Sequence, residues 1–410
     1  MKRLNSAKAR LFSSFSLALI FCALSTIALA KEQNFIIPNN YQQEVLSDES
    51  NLDIYHGSDW NDMITLNESG KDKGRYLYRT HEVRPRLPNL DYDGGAVSII
   101  DLKTKNASVL YQRKDWEALD GIVWTPWNTL LVTEETQNSK YPDPRLPDGE
   151  RGHVYEIALN PNDPSKVSGV FLREQLGSLS HEGIEFDEQG NIYVIDEDYE
   201  GSIYKFVPRK YGDLSQGQLF ALKIVEDKGD RTGKAKWLSL DMNLAIHNAH
   251  KAASKVKATT WCRPEDLERI QTTLYVALTC HKKNAQGQRK ENRVLSISLG
   301  TQPVVKNFVK AGLNAQVEIN GKGFAKPDNL ANGPKGTLWI TEDNSPSDIW
   351  IAYPDTNNDG HADKVELFAT LTDTKAEATG IYFDSNFINL YVNIQHSANG
   401  NDRTVKIYKK

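Results

Sequence analysis

Short apolar segments that end on polar residues recur along this chain. Six of them share one order, in which a mostly apolar run is followed by Thr, Asp, Glu, Asn, Gln or His. The copies are Arg75–Glu82, Thr129–Glu135, Asn191–Asp198, Thr273–His281, Thr337–Asp343 and Asn389–His396. Repetition of one short unit along a chain predicts a propeller or a solenoid.

Two further segments recur around each copy. A segment that alternates apolar and polar residues follows, as a half-buried strand does. Its copies are Gly95–Asp101, Gly152–Ile157, Gly201–Phe206, Asn292–Ile297, Ser347–Tyr353 and Thr404–Tyr408. A segment with an acidic residue or Thr ahead of Ile or Leu precedes five copies, at Asp120–Ile122, His181–Ile184, Arg263–Leu267, Pro327–Leu330 and Glu377–Ile381. With outer strands such as Ala107–Tyr111, four strands in each of six units predict an all-β protein, a six-bladed β-propeller.

The two ends of the repeat array predict how the ring closes. The last segment, Thr404–Tyr408, is the third strand of its unit, so residues between about Phe35 and Leu66 are expected to complete that blade. The spacing is broken once, between Phe206 and Trp261. A helical period occurs there, at Met242, Ala245, Ala249, Ala252 and Val256. We therefore predict a helical insertion near residues 237–257, acting as a lid or insertion over the mouth.

The first thirty residues have the features of a secretory signal peptide. A basic start precedes the apolar run Leu11–Leu24, and Ala28-Leu29-Ala30 fits a cleavage site. Residues 1–30 hold four cationic and no anionic side chains, so their removal changes the net charge from −5 to −9. We expect a periplasmic or secreted propeller of residues 31–410 without a membrane span. Its charge argues against nucleic acid as a partner and suits cation binding.

Two cysteines, Cys262 and Cys280, remain after residue 30. They flank one expected hairpin, and an oxidising compartment permits a disulfide between them. The alternative is a pair of free thiols, because spacing alone does not establish the geometry of a disulfide.

Acidic residues fall at one structural position in the expected blades. In a propeller, the first strand starts and the second strand ends on the same face, near the axis. The acidic residues at these places are Glu82, Glu134, Glu182, Glu265, Asp328, Glu342 and Glu377. Carboxylates that converge repel one another unless cations or protons neutralise them. The pattern favours a metal site, and a hydrated acidic rim without a ligand is the alternative.

A separate segment, Asp355–Glu366, fits a twelve-residue calcium loop. Its ligand residues would be Asp355, Asn357, Asp359, His361, Asp363 and Glu366, with Gly360 at the sharp turn. Strands are expected on both sides of it, so it is not an EF-hand. We predict a structural Ca²⁺ in the turn between the outer strands of blade five, with an Asn/Asp/Gly turn as the alternative.

Taken in chain order, several short motifs resemble the PhoX-type alkaline phosphatase family. They are Thr80-His81-Glu82, Thr125-Pro126-Trp127 with Thr133-Glu134-Glu135, His181-Glu182 followed by Asp196-Glu197-Asp198, Arg263-Pro264-Glu265, Pro327–Leu330, and Thr379-Gly380 followed by Val392–His396. The resemblance covers about residues 74 to 397. It implies a six-bladed propeller that holds iron and calcium ions at its mouth and hydrolyses phosphate monoesters.

The resemblance also implies roles for individual residues. Those implied as metal ligands are Glu82, Glu134, Glu182, Glu265, Asp328 and Glu377. Arg263 and Asn329 are implied to hold the substrate phosphate. The chemistry of these side chains agrees, because hard cations prefer carboxylate oxygens and Arg offers a planar fork of donors to a phosphate.

Two departures from the family pattern leave the metal open. Thr133 stands where the family has a cysteine that bridges two irons, and no twin arginine precedes the apolar run of the signal. An iron and calcium site, a calcium-dominated site, and a member without phosphatase activity are all compatible with this sequence.

Three functions remain as hypotheses. The first is a secreted or periplasmic metal-dependent phosphoesterase, a monomer that acts on small phosphorylated substrates. The second is a calcium-dependent lactonase or esterase, in which His81, His181 and His396 are the candidate bases. The third is a non-catalytic calcium-binding propeller, because a propeller fold alone does not determine function.

Overall fold

Six antiparallel blades surround one axis in the computed structural model of this chain. The structure describes residues 33–48, 50, 52, 54, 60–83, 94–136, 151–280, 291–320 and 322–410. The expected signal peptide at residues 1–30 lies outside this range. The prediction of an all-β six-bladed propeller is confirmed. Among the described residues, no helix has the length and apolar character needed to cross a membrane.

Each blade is built from four main strands, numbered here in chain order after a short first strand, β1 (Phe35–Ile36). The first strands are β3 (Asn61–Leu66), β7 (Leu119–Trp124), β11 (His181–Phe186), β16 (Pro264–Ile270), β20 (Pro327–Asn332) and β24 (Glu377–Phe383). The second strands are β4 (Tyr76–His81), β8 (Thr129–Glu134), β12 (Ile192–Asp196), β17 (Thr273–Thr279), β21 (Leu338–Glu342) and β25 (Asn389–Gln395). The third strands are β5 (Ala96–Asp101), β9 (Val154–Asn160), β13 (Ile203–Lys210), β18 (Asn292–Ser298), β22 (Asp348–Ala352) and β26 (Arg403–Lys409). The fourth strands are β6 (Asn106–Gln112), β10 (Asp163–Leu172), β14 (Asp213–Asp227), β19 (Val304–Lys310), β23 (Val365–Leu371) and, for blade six, β2 (Tyr41–Asp48).

The hydrophobic core is divided into layers between neighbouring blades. Alternate side chains of a strand point to opposite faces, and both faces of a blade pack against another blade, so the strands are apolar on both sides. One layer joins Tyr78 and Val97 of blade one to Ile122 and Leu130 of blade two. Five similar layers complete the circuit, and the first strands contact one another in sequence around the axis.

The N-terminal segment closes the ring, as the sequence predicts. Strand β2 pairs with β26 from Tyr41↔Lys409 to Asp48↔Arg403 and becomes the outer strand of blade six. The buried Arg79 of blade one donates from Nη1 to Thr404 Oγ1 of blade six at 2.6 Å. The first and last blades are therefore joined by side chains as well as by the apolar layer between them.

The insertion after blade three differs in part from the prediction. Residues 237–239 belong to strand β15 (Gly233–Ser239), which pairs with β14 and β19 and so joins blades three and four into one sheet. The predicted helix is present as α1 (Met242–Lys255), and the side chain of Asp241 caps it by accepting from Asn243 N. Its alanine face packs on blade three, and His250 Nδ1 lies 2.7 Å from Asp196 Oδ2. The helical insertion is therefore present, but none of its residues is among the described residues that line the mouth cavity, and a role as a lid stays a prediction.

A disulfide joins Cys262 and Cys280, the outcome that the sequence favours over free thiols. Their Cα atoms are 5.4 Å apart. Cys262 precedes the first strand of blade four and Cys280 follows the second strand. The disulfide therefore connects the two ends of this hairpin beside the mouth.

The end of the axis opposite the mouth has a smaller cavity of about 300 Å³. Glu185, Glu268 and Arg269 are among the residues that line it. Burial raises the pKa of Glu185 from 4.5 to about 7. In the unfolded chain the same carboxyl group ionises at its ordinary pKa, so this group stabilises the fold less as the pH rises from 4.5 through 7.

We predict that Glu185→Gln stabilises the protein at pH 8 and has little effect at pH 4.5. The variant avoids ionisation at this site, and the shift from 4.5 to about 7 sets an upper limit of about 3 kcal/mol on the gain in the free energy of unfolding at pH 8. Urea unfolding at both pH values measures it, and Glu188→Gln, an exposed position on the same blade, serves as the control. An equal effect of Glu185→Gln at both pH values would contradict this assignment.

Candidate metal and phosphate site

The pairing of first and second strands defines three equivalent positions in every blade. In five blades an Ile or Leu of the first strand pairs with a second-strand residue, for example Ile122↔Val132, and a register shift precedes each pair. Three positions are counted from this pair. The ring position lies two residues before the Ile or Leu, and the entry position lies two residues before the ring position. The exit position lies three residues after the paired residue of the second strand. Blade six follows the same count from Ile381 and Val392, since Tyr382 pairs with Tyr391.

Acidic residues dominate two of these positions. The ring positions are Asp62, Asp120, Glu182, Glu265, Asp328 and Thr379. The exit positions are Glu82, Glu135, Glu197, Thr279, Asp343 and Gln395. The entry positions are Trp60, Ala118, Ser180, Arg263, Lys326 and Glu377. In blades one to five the exit N–H donates to the entry carbonyl, at 2.9–3.0 Å, so one backbone hydrogen bond fixes all three positions at the mouth.

These positions line a cavity of about 610 Å³ at the mouth of the propeller. The ring residue of every blade lines it, as do the exit residues Glu82, Glu135, Asp343 and Gln395. Trp60, Lys375, Asn344, Ser345 and His396 complete much of its wall. The mouth is therefore a polar chamber whose charged groups come from all six blades.

Three carboxylate triads overlap along this wall. They are Asp62–Glu82–Asp120, Asp120–Glu135–Glu182 and Glu182–Glu197–Glu265, and within each triad the candidate ligand atoms lie within 4.8 Å of one another. Each triad contains the ring and exit acids of one blade and the ring acid of the next. Because Asp120 and Glu182 are shared, the seven residues form one continuous row across blades one to four, which we call the carboxylate arc.

The carboxylate arc is mostly buried and is self-repulsive. Burial, with the neighbouring carboxylates as a further cause, raises the pKa values of Asp62, Asp120 and Glu182 well above their ordinary range. Asp120 is 2% exposed, and its Oδ1 has no hydrogen-bond partner among the described residues. A buried carboxylate oxygen without a donor, set among other carboxylates, is suited to a cation.

Arg263 lies at the blade-four end of the arc. Its Nη2 is 2.6 Å from Glu197 Oε1, and its Nε is 3.2 Å from Glu265 Oε1. Burial lowers the pKa of this guanidinium, and the carboxylates of Glu265 and Glu197 raise it by more, so the side chain stays charged. With five N–H donors and a side chain that is 21% exposed, Arg263 can still donate to an anion in the cavity.

Glu134 and Glu342, which the sequence places at the mouth, are not among the described residues that line the cavity. Glu134 accepts hydrogen bonds from the backbone N–H groups of Glu117 and His153. Glu342 accepts from Ala325 N at 2.7 Å. Each of these residues is followed directly by another acid, Glu135 or Asp343. Because side chains alternate along a strand, the second acid of each pair faces the cavity.

Asn329, which the resemblance assigns to phosphate binding, points away from the cavity. It follows the ring residue Asp328 in β20, and the alternation of the strand turns it toward blade six. Its Oδ1 accepts from Gly380 N at 2.6 Å, and its own N–H donates to Thr341 Oγ1 at 3.0 Å. Asn329 is 2% exposed. Its contacts therefore join blades five and six.

Thr133, which stands where the family has a cysteine, has a comparable role between blades two and three. Its Oγ1 accepts from Gly121 N and donates to the backbone carbonyl of Glu182, both at 2.9 Å. The side chain is fully buried and is not among the described residues lining the cavity. The first hydrogen bond lies within blade two, and the second joins blade two to blade three.

The remaining candidates divide between the cavity and the blades. Asp328 and Glu377 line the cavity outside the three triads, and Glu377 Oε1 lies 3.2 Å from His396 Nε2. Of the three candidate histidine bases, only His396 lines the cavity. His81 is buried against Ser98 Oγ at 2.7 Å, and His181 against the carbonyl of Gly177 at 3.1 Å.

The candidate calcium loop lies between β22 and β23, the outer strands of blade five. Asp355 accepts from the N–H groups of Asp359 and Gly360, and Asp363 accepts from Thr356. Glu366 contacts Tyr353 and Lys364 instead of turning into the loop. His361 Nδ1 lies 2.5 Å from the carbonyl of Asn307. The loop has the expected tight turn, while its twelfth residue is engaged elsewhere, and calcium binding there stays a prediction.

Sequence reasoning missed several residues that the structure brings to the cavity. Asp62 is followed by Met63-Ile64 and so fits the pattern of the first strands. Assigning this segment as the first strand of blade one would have identified Asp62. Asp120, Glu135, Glu197 and Asp343 stand in the recurring segments, but their orientation depends on the register. Lys326 precedes Pro327 as Arg263 precedes Pro264, and this parallel is visible in the sequence.

Comparison with known proteins identifies the family. The family model for alkaline phosphatase PhoX matches residues 123–398. This chain belongs to the PhoX family. The matched range includes the ring acids of blades three to five and Arg263, whereas Asp62, Glu82 and Asp120 precede it. No curated protein sequence matches the chain.

A solved PhoX-family structure has the same fold. It is Pseudomonas fluorescens PhoX in complex with vanadate, a transition state analogue, with 20% sequence identity and a TM-score of 0.70. The match covers 92% of this chain and 96% of that chain. The WD40 domain of Neurospora crassa Pan2 aligns over 90% of this chain and 97% of its own, with 8% identity and a TM-score of 0.44.

We predict that Asn329→Ala destabilises the protein without a selective effect on substrate affinity. It removes the acceptor of the Gly380 N–H between two blades, and an unpaired buried donor costs about 1–3 kcal/mol. Thermal unfolding and the KM for an aryl phosphate measure the two effects, with Asn332→Ala at the far end of the same strand as the control. A tenfold rise in KM at unchanged stability would instead place Asn329 on the substrate, as the resemblance implies.

Proposed function

We propose that this PhoX-family protein is a metal-dependent phosphoesterase that hydrolyses phosphate monoesters in the mouth cavity. The observation that carries the proposal is the juxtaposition of the carboxylate arc with Arg263 at its end. The arc supplies oxygen ligands for cations, and Arg263 supplies donors for an anion. A phosphate ester is an anion that metal ions and a guanidinium bind together.

The donor set of the arc suits hard cations. All seven side chains are carboxylates, the ligands that Ca²⁺ prefers in proteins. When bound, such cations polarise the phosphoryl group and stabilise the charge that develops on its oxygens. Thr133 is not among the described residues that line the cavity. Of the metal sites that the sequence leaves open, we therefore propose a calcium-dominated site without the cysteine-bridged iron pair.

Side chains of this chain would orient the substrate. Glu197 and Glu265 contact two different nitrogen atoms of the Arg263 guanidinium. These contacts restrict the rotation of the side chain and keep it directed toward the arc. Arg263 itself is held in a left-handed backbone conformation, with φ of 44°, between the disulfide-bonded Cys262 and Pro264. A preorganised donor is worth more in the transition state than one that must be ordered on binding.

The direct test is hydrolysis of an aryl phosphate by the purified protein in calcium and after chelation. We expect turnover in calcium, loss of turnover with chelator, and recovery when calcium is restored. Asp120→Asn should lower kcat/KM by about a hundredfold or more, because Asp120 belongs to two triads. Vanadate, which P. fluorescens PhoX binds as a transition state analogue, is expected to inhibit.

Glu134→Gln is the matched control for Asp120→Asn. The two oxygens of Glu134 accept from the backbone N–H groups of Glu117 and His153, and Gln has the same shape and keeps one of these two acceptors. The control should retain activity within about twofold. Equal losses in both variants would contradict the assignment of the arc as the metal site. Absence of turnover with calcium and with iron would contradict the proposal that the protein is a phosphoesterase.

We also propose that the Asp355–Glu366 loop binds a structural Ca²⁺. Support comes from the sequence pattern and from the tight turn, in which Gly360 has a φ of 98° and the Asp355 carboxylate lies inside the turn. Binding there requires Glu366 to leave Tyr353 and Lys364. Calcium that binds only the folded state raises the melting temperature by mass action.

Asp359→Ala is therefore expected to lower the melting temperature in calcium and to leave activity unchanged while the protein is folded. Melting curves with calcium and with chelator measure the effect. The difference between variant and parent should disappear in chelator. Identical curves in calcium would show that the loop holds no stabilising ion.

The setting of the enzyme is part of the proposal. We propose a monomer in the periplasm or outside the cell that acts on small phosphorylated substrates and not on nucleic acid. The disulfide between Cys262 and Cys280 supports an oxidising compartment. The net charge, −5 for the whole chain and −9 without residues 1–30, supports the exclusion of nucleic acid.

A further inference from the structure

The two sides of the mouth cavity differ in the charges that they offer a ligand. The carboxylate arc occupies the side formed by blades one to four. The side formed by blades five and six has three carboxylates outside the arc, Asp328, Asp343 and Glu377, and also two cationic side chains, Lys326 and Lys375. A phosphate held between the arc and Arg263 would leave this second side facing the rest of the substrate.

Lys326 repeats the placement of Arg263 one blade further around the ring. Both occupy the entry position, both have a φ of 44°, and both precede a proline and then a ring acid. The carbonyl of Lys326 accepts from Asp343 N at 3.0 Å, and that of Arg263 accepts from Thr279 N at 2.9 Å. The two side chains therefore leave neighbouring blades from equivalent points, and both line the cavity.

The two cations differ in how closely carboxylates hold them. The Arg263 guanidinium approaches Glu197 Oε1 to 2.6 Å. Lys326 Nζ lies 3.8 Å from Asp343 Oδ1, beyond hydrogen-bond distance, and the Lys326 side chain is 28% exposed. An ammonium group has three donors, so Lys326 has donors to offer a ligand within the cavity.

We infer that Lys326 binds a second anionic group of the substrate, next to the phosphate that Arg263 binds. The inference rests on the proposed function and names its substrate class, which is compact phosphate monoesters that carry another phosphate or a carboxylate. Packed sheets are separated by roughly 10 Å, and equivalent positions of adjacent blades are closer near the axis. The two anionic groups would thus be joined by a short linker.

The test compares α,ω-alkanediol bisphosphates of two to six carbons with alkyl monophosphates of the same length. The parent protein should hydrolyse the bisphosphate of the best length with a kcat/KM about tenfold higher, after correction for its two equivalent phosphates. Lys326→Ala should reduce this preference to less than about twofold and leave kcat/KM for the monophosphates nearly unchanged. Lys326→Arg should retain the preference.

The variants are chosen so that folding does not obscure the result. Alanine is compatible with the backbone at this position, because Ala118 occupies the entry position of blade two with a φ of 45°. Lys335→Ala is the matched control, since this exposed lysine lies at the opposite end of the same hairpin. It should leave both activities and the preference as in the parent.

Three results would overturn the inference. Equal activity of the parent on both substrate series would remove it and leave the phosphoesterase intact. An equal fall for both series in Lys326→Ala would place Lys326 on the transferred phosphate or assign it a structural role. Absence of hydrolysis of either series with calcium and with iron would remove the proposed function and this inference with it.

Discussion

The convergence of carboxylates at the mouth is the constraint on which the rest of this structure depends. Seven acids from four adjacent blades are brought together in three overlapping triads, and most of them are shielded from water. In that setting the charged form of a carboxylate is unfavourable unless a cation or a proton accompanies it. The propeller cannot relax the repulsion by spreading, because its ring is closed by β2, by Arg79 and by six apolar layers between blades. Cation binding is the response that keeps these acids ionised.

One local backbone arrangement repeats around the ring, and only its side chains differ from blade to blade. The exit N–H bonds the entry carbonyl, and the ring residue stands between them. Acids at the ring and exit positions of the early blades form the arc. The cationic side chains of Arg263 and Lys326, at the entry positions of blades four and five, line the same cavity. Blade six has Thr379 at the ring position and Gln395 at the exit position, so neither position is acidic there. The chemistry of the cavity is thus determined by substitutions at three equivalent positions.

The fold could be predicted because each blade repeats the same segments, and three ring acids, Glu182, Glu265 and Asp328, could be predicted with it. The choice between Glu134 and Glu135 could not, because a register shift near the start of each first strand decides which of two adjacent acids faces the axis. Asp62 was missed because its strand lies in the stretch expected to close the ring. Asn329 and Thr133 form hydrogen bonds between blades, and such contacts depend on which blades are neighbours in space.

The most direct test of the central claim is a crystal structure of the protein grown with calcium and vanadate, with anomalous scattering used to locate the ions. We predict ions bound between the triads of the carboxylate arc and vanadate on the side of Arg263. Ordered water alone between these carboxylates, with vanadate absent or bound away from Arg263, would contradict it.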